Sequence, residues 1–335
     1  MVKIKDVADT AGVSTATVSR VLANKPYVSP EVKDRVLKVV RELGYRPNRV
    51  ARNLRSRRSS IIGLIVSDIE NPYFQQVSRA VEDAANEQRY SVILCNNDEN
   101  PDKEKKYLNL IRDENLAGVI LSPTRQTADK FDETAFLNVP MVVIDRRVSK
   151  FDVDNILIDN TQSAYTITTH LIEHGYQRFG ALFGIGSTTG RERQKGFLQA
   201  LKDHGIKPLN NLIKFTNPRE NDGYNTALKL LGASAPPDAI LTSNSLLAAG
   251  VLRALQESKL AVPDDVAFAS FDETPWARIV NPPLTVIEQP TYQIGRTATE
   301  MLLKRIEDPT RSHRQVILKA KLIVRQSCGC KPSSD

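Results

Sequence analysis

The most directed chemistry in this 335-residue sequence is cationic and lies in one short run, Asn48-Arg49-Val50-Ala51-Arg52-Asn53-Leu54-Arg55-Ser56-Arg57-Arg58. Residues 1–58 hold 14 lysines and arginines against 5 acids, a net of +9, whereas the rest of the chain holds 32 against 34, a net of −2. A small basic head on a near-neutral body points to a nucleic-acid contact carried by a larger domain of different purpose. Arg49, Arg52 and Arg55 recur every three residues, so in a helix they share one face. A short segment with such clustered like charge cannot sustain a helix alone. Phosphates would remove the repulsion, so the segment is expected to order on DNA. Leu54 is an apolar side chain among the arginines, suited to enter between two base steps and offset the unstacking cost of a kink.

Catalytic chemistry is poorly served. Gly184-Ile185-Gly186-Ser187-Thr188-Thr189-Gly190 follows an apolar run, but its third glycine is one residue late for a dinucleotide fingerprint. No Lys-Ser/Thr follows for a phosphate loop, so the segment reads as a polar ligand loop. His170 and His174 lie four apart on a helical stretch, but Glu173 is not placed as in H-E-x-x-H. Cys328-Gly329-Cys330 is a lone C-x-C with no two further ligands at zinc spacing, and reads as a reduced terminal pair. Cys95 sits in an apolar run as a buried small hydrophobe. There is no G-x-S-x-G elbow, and Asp264-Asp265 are explained by capping. The expectation is a chain that is not an enzyme, with no catalytic residues, metal or cofactor.

The elements that must carry the head's charge are legible. Ile4, Val7, Ala8 and Ala11 form one helical face, and Gly12 stands where a C-cap belongs. Ser14 is an N-cap for a second helix that buries Val18, Val21 and Leu22. That leaves Thr15, Ala16, Thr17, Ser19 and Arg20 facing out, short hydroxyls and one arginine that suit phosphates and base edges. Ser29-Pro30-Glu31 starts a third helix, whose stripe is Val32, Val36, Val39, Val40 and Leu43 before Gly44. Two short helices joined by a glycine turn with a third packed across them make a helix-turn-helix, whose second helix enters the major groove.

These residues carry a resemblance. Ile4-Lys5-Asp6-Val7-Ala8, then Ala11-Gly12-Val13-Ser14 and Thr17-Val18-Ser19-Arg20-Val21-Leu22-Ala23-Asn24, are similar to the N-terminal signature of the lactose-repressor/galactose-repressor (LacI/GalR) family. Gly44-Tyr45-Arg46-Pro47-Asn48 followed by Ala51-Arg52-Asn53-Leu54 is similar as well. The resemblance implies base reading by Thr15, Ala16 and Arg20, and DNA-backbone contacts from Ser14, Thr17, Ser19, Asn24, Ser29 and Tyr45. It also places Asn48, Arg49 and Ala51 in a DNA-contacting hinge helix, with Leu54 as its minor-groove wedge.

From Ile61 the chain alternates short apolar runs with amphipathic stretches, the pattern of a doubly wound parallel sheet. Strands are expected at 61–66, 91–95, 117–121, 140–144, 179–183, 239–242 and 266–271, and Asn71-Pro72 opens a helix. About 270 residues suit two such lobes, with ligands bound outside the carboxyl ends of the strands and so in a cleft between them. The resemblance implies a periplasmic-binding-protein-like body. Within it, Asp68 to Phe74 is the first ligand loop, and Arg193-Gln194-Lys195-Gly196-Phe197 carries the ligand-gripping arginine. Asp272 holds hydroxyls, and Asn281 to Thr285 followed by Gln289-Pro290 is the crossing between lobes. The candidate ligand set is Tyr73, Phe74, Ser122, Arg146, Arg193, Asn244, Asp272 and Trp276. Asp272 and Arg193 can pair with hydroxyls or a carboxylate, and Tyr73, Phe74 and Trp276 offer ring faces. The family commonly shows Asn-Asp where this chain has Asn244-Ser245. Arg146, Arg147, Arg191 and Arg193 add cations that suit an acidic ligand such as a sugar acid.

The expected organisation is a helix-turn-helix domain over 1–46, a hinge over 47–60, and a two-lobed ligand-binding and dimerisation domain over 61–330. Its lobes take about 61–160 plus 291–320 and 161–288 plus 321–330. The reading is a cytoplasmic, ligand-responsive transcriptional regulator, a repressor of carbohydrate or sugar-acid genes. It would bind palindromic double-stranded operator DNA as a homodimer or tetramer, with a small polar effector and no membrane partner. The alternative is an α/β enzyme or sugar-binding protein with an accessory basic head.

Overall fold

Val7, Ala8, Ala11, Val18, Val21, Val36 and Val39 are the buried apolar residues of the head. They come from three helices, α1 (Ile4–Ala11), α2 (Thr15–Leu22) and α3 (Pro30–Glu42). Gly12 takes the left-handed conformation at φ 60° and ends α1, where only glycine is free of a Cβ penalty. Ser14 Oγ accepts the Thr17 amide at 3.1 Å, and Ser29 caps α3 on Val32. The structure, a computed structural model, describes residues 2–22, 26, 28–45, 59–129, 139–148 and 152–330. It divides into two units, residues 1–59 and 60–335. Asn24, Asn48, Arg49, Ala51 and Leu54, and with them the expected hinge helix, lie outside the described residues.

The larger unit holds two six-stranded sheets. The first comprises β1 (Ile61–Val66), β2 (Ser91–Asn96), β3 (Gly118–Leu121), β4 (Met141–Ile144), β5 (Asp154–Ile158) and β11 (Gln315–Leu318). Its order is β11-β5-β4-β3-β1-β2, and every pair is parallel. The second comprises β6 (Phe179–Gly184), β7 (Ile213–Thr216), β8 (Ala239–Thr242), β9 (Ala267–Phe271), β10 (Thr285–Glu288) and β12 (Lys321–Ile323), in the order β12-β10-β9-β8-β6-β7. Only β12 in that sheet runs antiparallel. Most strands read as continuous apolar runs because helices cover both faces of a parallel sheet.

Each sheet therefore has two apolar layers. In the first lobe one gathers Leu64, Val77, Ile120 and Leu302 and the other Ile65, Ile111, Val119 and Val143. In the second lobe one gathers Phe183, Phe197 and Phe271 and the other Ile240, Leu247, Val251 and Phe268. The helices are α4 (Pro72–Glu87), α5 (Pro101–Asp113), α6 (Arg125–Asp129), α7 (Asn160–Glu173), α8 (Thr188–Asp203), α9 (Glu220–Leu231), α10 (Ser245–Glu257) and α11 (Thr291–Glu307). The chain crosses between sheets three times: from β5 into α7, from β10 into α11, and from β11 to β12. Asn281 to Thr285 is not a crossing, because Leu284 is buried in the second lobe's core and Thr285 already begins β10. In this stretch the chain crosses at Gln289-Pro290.

Candidate DNA-reading face and ligand cleft

On the head, burial of Val18 and Val21 fixes how α2 is rolled. Thr15, Ala16, Ser19 and Arg20 are exposed on its open face and Thr17 is half-buried. Ser14 Oγ also lies 3.0 Å from Thr17 Oγ1, so these two hydroxyls order one another at the helix start. Ser29 is exposed, and Tyr45 packs against the small core. An N-terminal helix face of small polar residues beside a helix start suits phosphate and base-edge contact.

In the larger unit, a cavity of about 320 Å³ is lined by both lobes. Its walls are the loops that leave the carboxyl ends of nine strands. Ser67, Asp68, Asn71, Tyr73 and Phe74 follow β1, Asp98 and Glu99 follow β2, Arg125 follows β3, and Asp145 and Arg146 follow β4. Ile185, Ser187, Thr189, Gly190 and Arg193 follow β6, Asn217 to Arg219 follow β7, Ser243 and Asn244 follow β8, Asp272 follows β9, and Gln289 follows β10. This is where a doubly wound sheet gathers polar groups, since its strands end together at the point where their order reverses.

Arg193 is placed by its neighbours. Its Nε donates to Asn160 Oδ1 at 2.8 Å, Nη1 donates to the Ser243 carbonyl, and the guanidinium lies 4.2 Å from the Phe271 ring centroid. The residues that follow explain the spacing. Gly196 lets α8 touch α7, because a Cβ there would stand 2.0 Å from the Thr161 carbonyl oxygen. Phe197 is fully buried against Phe179 and Phe183. One helical turn earlier, Arg193 is thereby aimed at the cleft. Asp272 opposes it with φ 76°; its Oδ1 accepts Gln289 Nε2 at 2.6 Å and its Oδ2 accepts the Ser245 amide at 3.2 Å. Asn244 caps α10 by accepting the Leu247 amide at 2.8 Å.

The other lining arginines face carboxylates, although Arg146 Nε is buried without a hydrogen-bond partner. Arg146 donates to Glu99 Oε1 at 2.5 Å and to the Pro123 carbonyl at 2.7 Å, with Asp145 at 3.4 Å. Arg125 lies 3.3 Å from Glu99 and reaches the Ile185 carbonyl of the second lobe at 2.6 Å. Arg219 of the second lobe meets Asp98 of the first at 3.4 Å. Burial pushes the Glu99 carboxyl up, but Arg146 and Arg125 outweigh it and hold the group below its ordinary range. Asp145 goes the other way: burial raises it further than Arg146 lowers it. Burial, with Asp145 and Asp272 nearby, keeps Tyr73 a protonated donor. Five carboxylates, Asp68, Asp98, Glu99, Asp145 and Asp272, thus face four arginines, Arg125, Arg146, Arg193 and Arg219, a formal charge of −1 for the lining.

Of the ligand set expected from sequence, Tyr73, Phe74, Arg146, Arg193, Asn244 and Asp272 line the cavity. Ser122 does not. It is fully buried one layer below, hydrogen-bonded to Ser67 at 2.7 Å. Trp276 does not either. It lies in a 3₁₀ turn (Pro275–Arg278) that carries its ring away from Asp272 into the layer of Phe268 and Val251. Arg147 and Arg191 are exposed and outside the lining. Glu99, Arg125, Arg219 and Gln289 belong to the cleft without having been singled out; the carboxyl ends of β2, β3, β7 and β10 were the signal that could have found them. The glycine-rich loop does line the cleft. Ser187 caps α8 on Gly190, whose Cβ would stand 2.5 Å from the Gly184 carbonyl oxygen, so its third glycine serves helix–strand packing.

Comparison with known proteins matches both parts of the chain. Residues 3–48 match the model of bacterial regulatory proteins of the lacI family, and residues 168–328 match a periplasmic binding protein-like domain. A ribose operon repressor from Halalkalibacterium halodurans is 35% identical over 98% of this chain and 97% of its own length. The repressor PurR of Pasteurella multocida is 33% identical over 98% of each. A crystal structure of the lac repressor dimer bound to operator and the anti-inducer ONPF superposes with a TM-score of 0.86 at 27% identity, covering 98% of this chain and 99% of that one. Among the described residues no helix is long and apolar enough to cross a membrane. The chain belongs to the lacI family of bacterial regulatory proteins, and it is a DNA-binding transcriptional regulator rather than an enzyme.

Proposed function

We propose that the protein is a cytoplasmic repressor that reads a palindromic operator as a homodimer and is set by a neutral, polyhydroxylated effector of sugar size held between its lobes. The observation that carries the effector reading is the charge balance of the cleft. Arg146 and Arg125 are spent on Glu99, and Arg219 on Asp98. An acid would enter a lining already at a formal −1, where of the four arginines only Arg193 is held by neutral partners and five carboxylates work against a second negative charge. A neutral polyol meets acceptors on Asp272 and Asp145, donors on Arg193, and the rings of Tyr73 and Phe74 for its apolar face. This narrows the sequence reading, which allowed sugar acids on the strength of Arg146, Arg147, Arg191 and Arg193.

The relatives named above are a ribose operon repressor and PurR, so a sugar and a purine are the ligand classes to weigh. Bases need in-plane donor and acceptor pairs and a stacking face. This cleft has more carboxylate than amide around Tyr73 and Phe74, which favours hydroxyls. Thr15, Ala16 and Arg20 take the base-reading role in each half-site, and Ser14, Thr17, Ser19, Asn24, Ser29, Tyr45, Asn48, Arg49 and Ala51 grip the backbone. A second copy has an apolar strip to cover: Ile93 and Leu94 on the edge strand β2 and Leu110 on α5 are each more than 40% exposed. A ligand that binds one lobe arrangement more tightly shifts operator affinity by that difference in binding energy.

The test is a thermal-shift screen of the full chain against neutral pentoses and hexoses, sugar acids, sugar phosphates and purine bases. A neutral sugar at 100 times its dissociation constant adds about 2.7 kcal/mol and changes operator affinity. A response confined to acids or purines would overturn the effector reading.

A further inference from the structure

At the far end of α7 from the cleft, four side chains with metal-ligating atoms converge. His170 lies in the last turn of the helix and His174 is its C-cap. Cys328 and Cys330 come from the tail that follows β12. One ligand atom from each of the four lies within 4.8 Å of all the others. His170 Nε2 stands 3.2 Å from Cys328 Sγ and 3.8 Å from Cys330 Sγ, and His174 Nε2 stands 2.9 Å from Cys330 Sγ. A tetrahedron with zinc–sulfur bonds of about 2.3 Å and zinc–nitrogen bonds of about 2.0 Å has edges of roughly 3.3–3.8 Å. The observed spacings bracket those edges. The two ligands that the C-x-C lacked in sequence are therefore supplied by the helix, about 156 positions away.

We propose that these four residues form a structural Cys₂His₂ zinc site that staples the C-terminal tail to α7. Soft thiolates with imidazoles in a four-ligand closed set select zinc over the oxygen-seeking cations. The surroundings are those of a site rather than a chance meeting. His174 Nδ1 lies 2.7 Å from the His170 carbonyl. A carbonyl can only accept, so Nδ1 carries the proton and the Nε2 lone pair faces Cys330, the second-layer orientation that ligating histidines use. The turn between the cysteines requires glycine: Gly329 has φ 93°, and a Cβ there would stand 2.7 Å from Tyr176 Oη. That turn brings both sulfurs to one side of the tail. Tyr176 Oη donates to the Cys328 carbonyl at 3.2 Å, and Ser327 Oγ donates to the Phe268 carbonyl at 2.6 Å while accepting the Thr285 amide at 2.8 Å. The tail is thus seated on the second lobe, and the metal would close a loop through most of that lobe.

The proposal is tested on the full chain purified under reducing conditions, loaded with zinc and then dialysed. One zinc per chain is expected by elemental analysis. Addition of cobalt(II) to the metal-free chain should give thiolate-to-cobalt charge transfer and the visible bands of a tetrahedral ion. A chelator should lower the melting temperature of the native chain. The half-exposed Cys330→Ser and exposed His174→Ala variants should hold zinc at least tenfold more weakly, melt near the chelated native chain, and show little further change with chelator. A native chain that retains well below one zinc and gives no tetrahedral cobalt spectrum would overturn the site, and so would variants that bind zinc as tightly as the native chain. The cobalt spectrum needs no variant, so a substitution that fails to fold still leaves the proposal open to refutation.

Discussion

Arg193 Nε donates to Asn160 Oδ1 at 2.8 Å, so the cation that reaches into the cleft from α8 is held by the first residue of α7. Asn160 is itself buried and also donates to Glu192 at 2.9 Å. The pair depends on α7 and α8 touching, which Gly196 permits. Asn160→Ala leaves the geometry of the helices intact but frees the guanidinium to swing. It is expected to weaken effector binding about tenfold, the loss of one charge-assisted hydrogen bond of roughly 1.5 kcal/mol, with operator binding unchanged in the absence of effector. Gly196→Ala acts on the same pair through packing. Forcing a methyl against the Thr161 carbonyl is expected to cost about 1–3 kcal/mol of stability and to weaken the effector as well. Calorimetry on both variants checks the order; equal effector affinity in Asn160→Ala and the native chain would remove Arg193 from the binding role.

Asp272 is the complementary case. It is 6% exposed and accepts hydrogen bonds from Gln289 and Ser245. Asp272→Ala is expected to abolish the effector response and to lower stability by about 1–3 kcal/mol, because two buried donors lose their acceptor. Specific operator binding persists, since the head folds around its own valines. A titration showing a normal effector response in this variant would place the ligand elsewhere.

The contrast between Asp272 and Trp276 shows what was legible. Both follow β9 within five residues. Asp272 was found because the carboxyl end of a strand is a place, and that place is fixed by the alternation of apolar runs and helices. Trp276 was misplaced because direction within a 3₁₀ turn is set by packing onto the layer of Phe268 and Val251, which periodicity along the chain does not encode. Ser122 failed for a related reason: one residue past a strand a side chain points either out to the cleft or down onto Ser67. β5, β7, β10, β11 and β12 escaped notice as short strands, and with them went Arg219 and Gln289. The convergence of His170, His174, Cys328 and Cys330 was invisible because β12 pairs antiparallel with β10, a long-range event that delivers the tail to α7. The head was read most fully, since its signals are caps and stripes within one turn of each other.

Glu99 gives a pH dependence whose sign follows from its partners. It faces Arg146 and Arg125, with Glu104 and Asp145 the nearby acids. Although burial raises it, the two arginines hold the folded carboxyl below its ordinary value of 4.5. A group lowered on folding contributes stability above its unfolded value and loses it as pH falls through the folded value. Glu99→Gln is therefore expected to destabilise the chain at pH 7 by about 1–3 kcal/mol. The gap between the denaturant midpoints of the two proteins should begin to narrow as pH falls below 4.5 and close below the folded value. A gap that stays constant into the acid range would mean that Glu99 acts through shape and not charge.

Leu54, which lies outside the described residues, tests the joint between head and body. It is flanked by Arg52 and Arg55 in a segment where nearly every other large side chain is cationic. Removing a cation and removing the wedge must therefore leave different marks. Arg52→Ala deletes a phosphate contact, so binding weakens on all sequences and the salt slope falls by about 1. Leu54→Ala deletes no phosphate contact, so the slope with salt is expected to stay as it is. What changes is the duplex. Without a side chain to fill the opened base step, unstacking worth a few kcal/mol goes uncompensated, so specific affinity drops while non-specific affinity does not. The bend measured by fluorescence transfer across a labelled operator is expected to straighten. A bend retained in full by Leu54→Ala, with affinity lost in proportion on specific and random DNA, would show that the comb acts by charge alone.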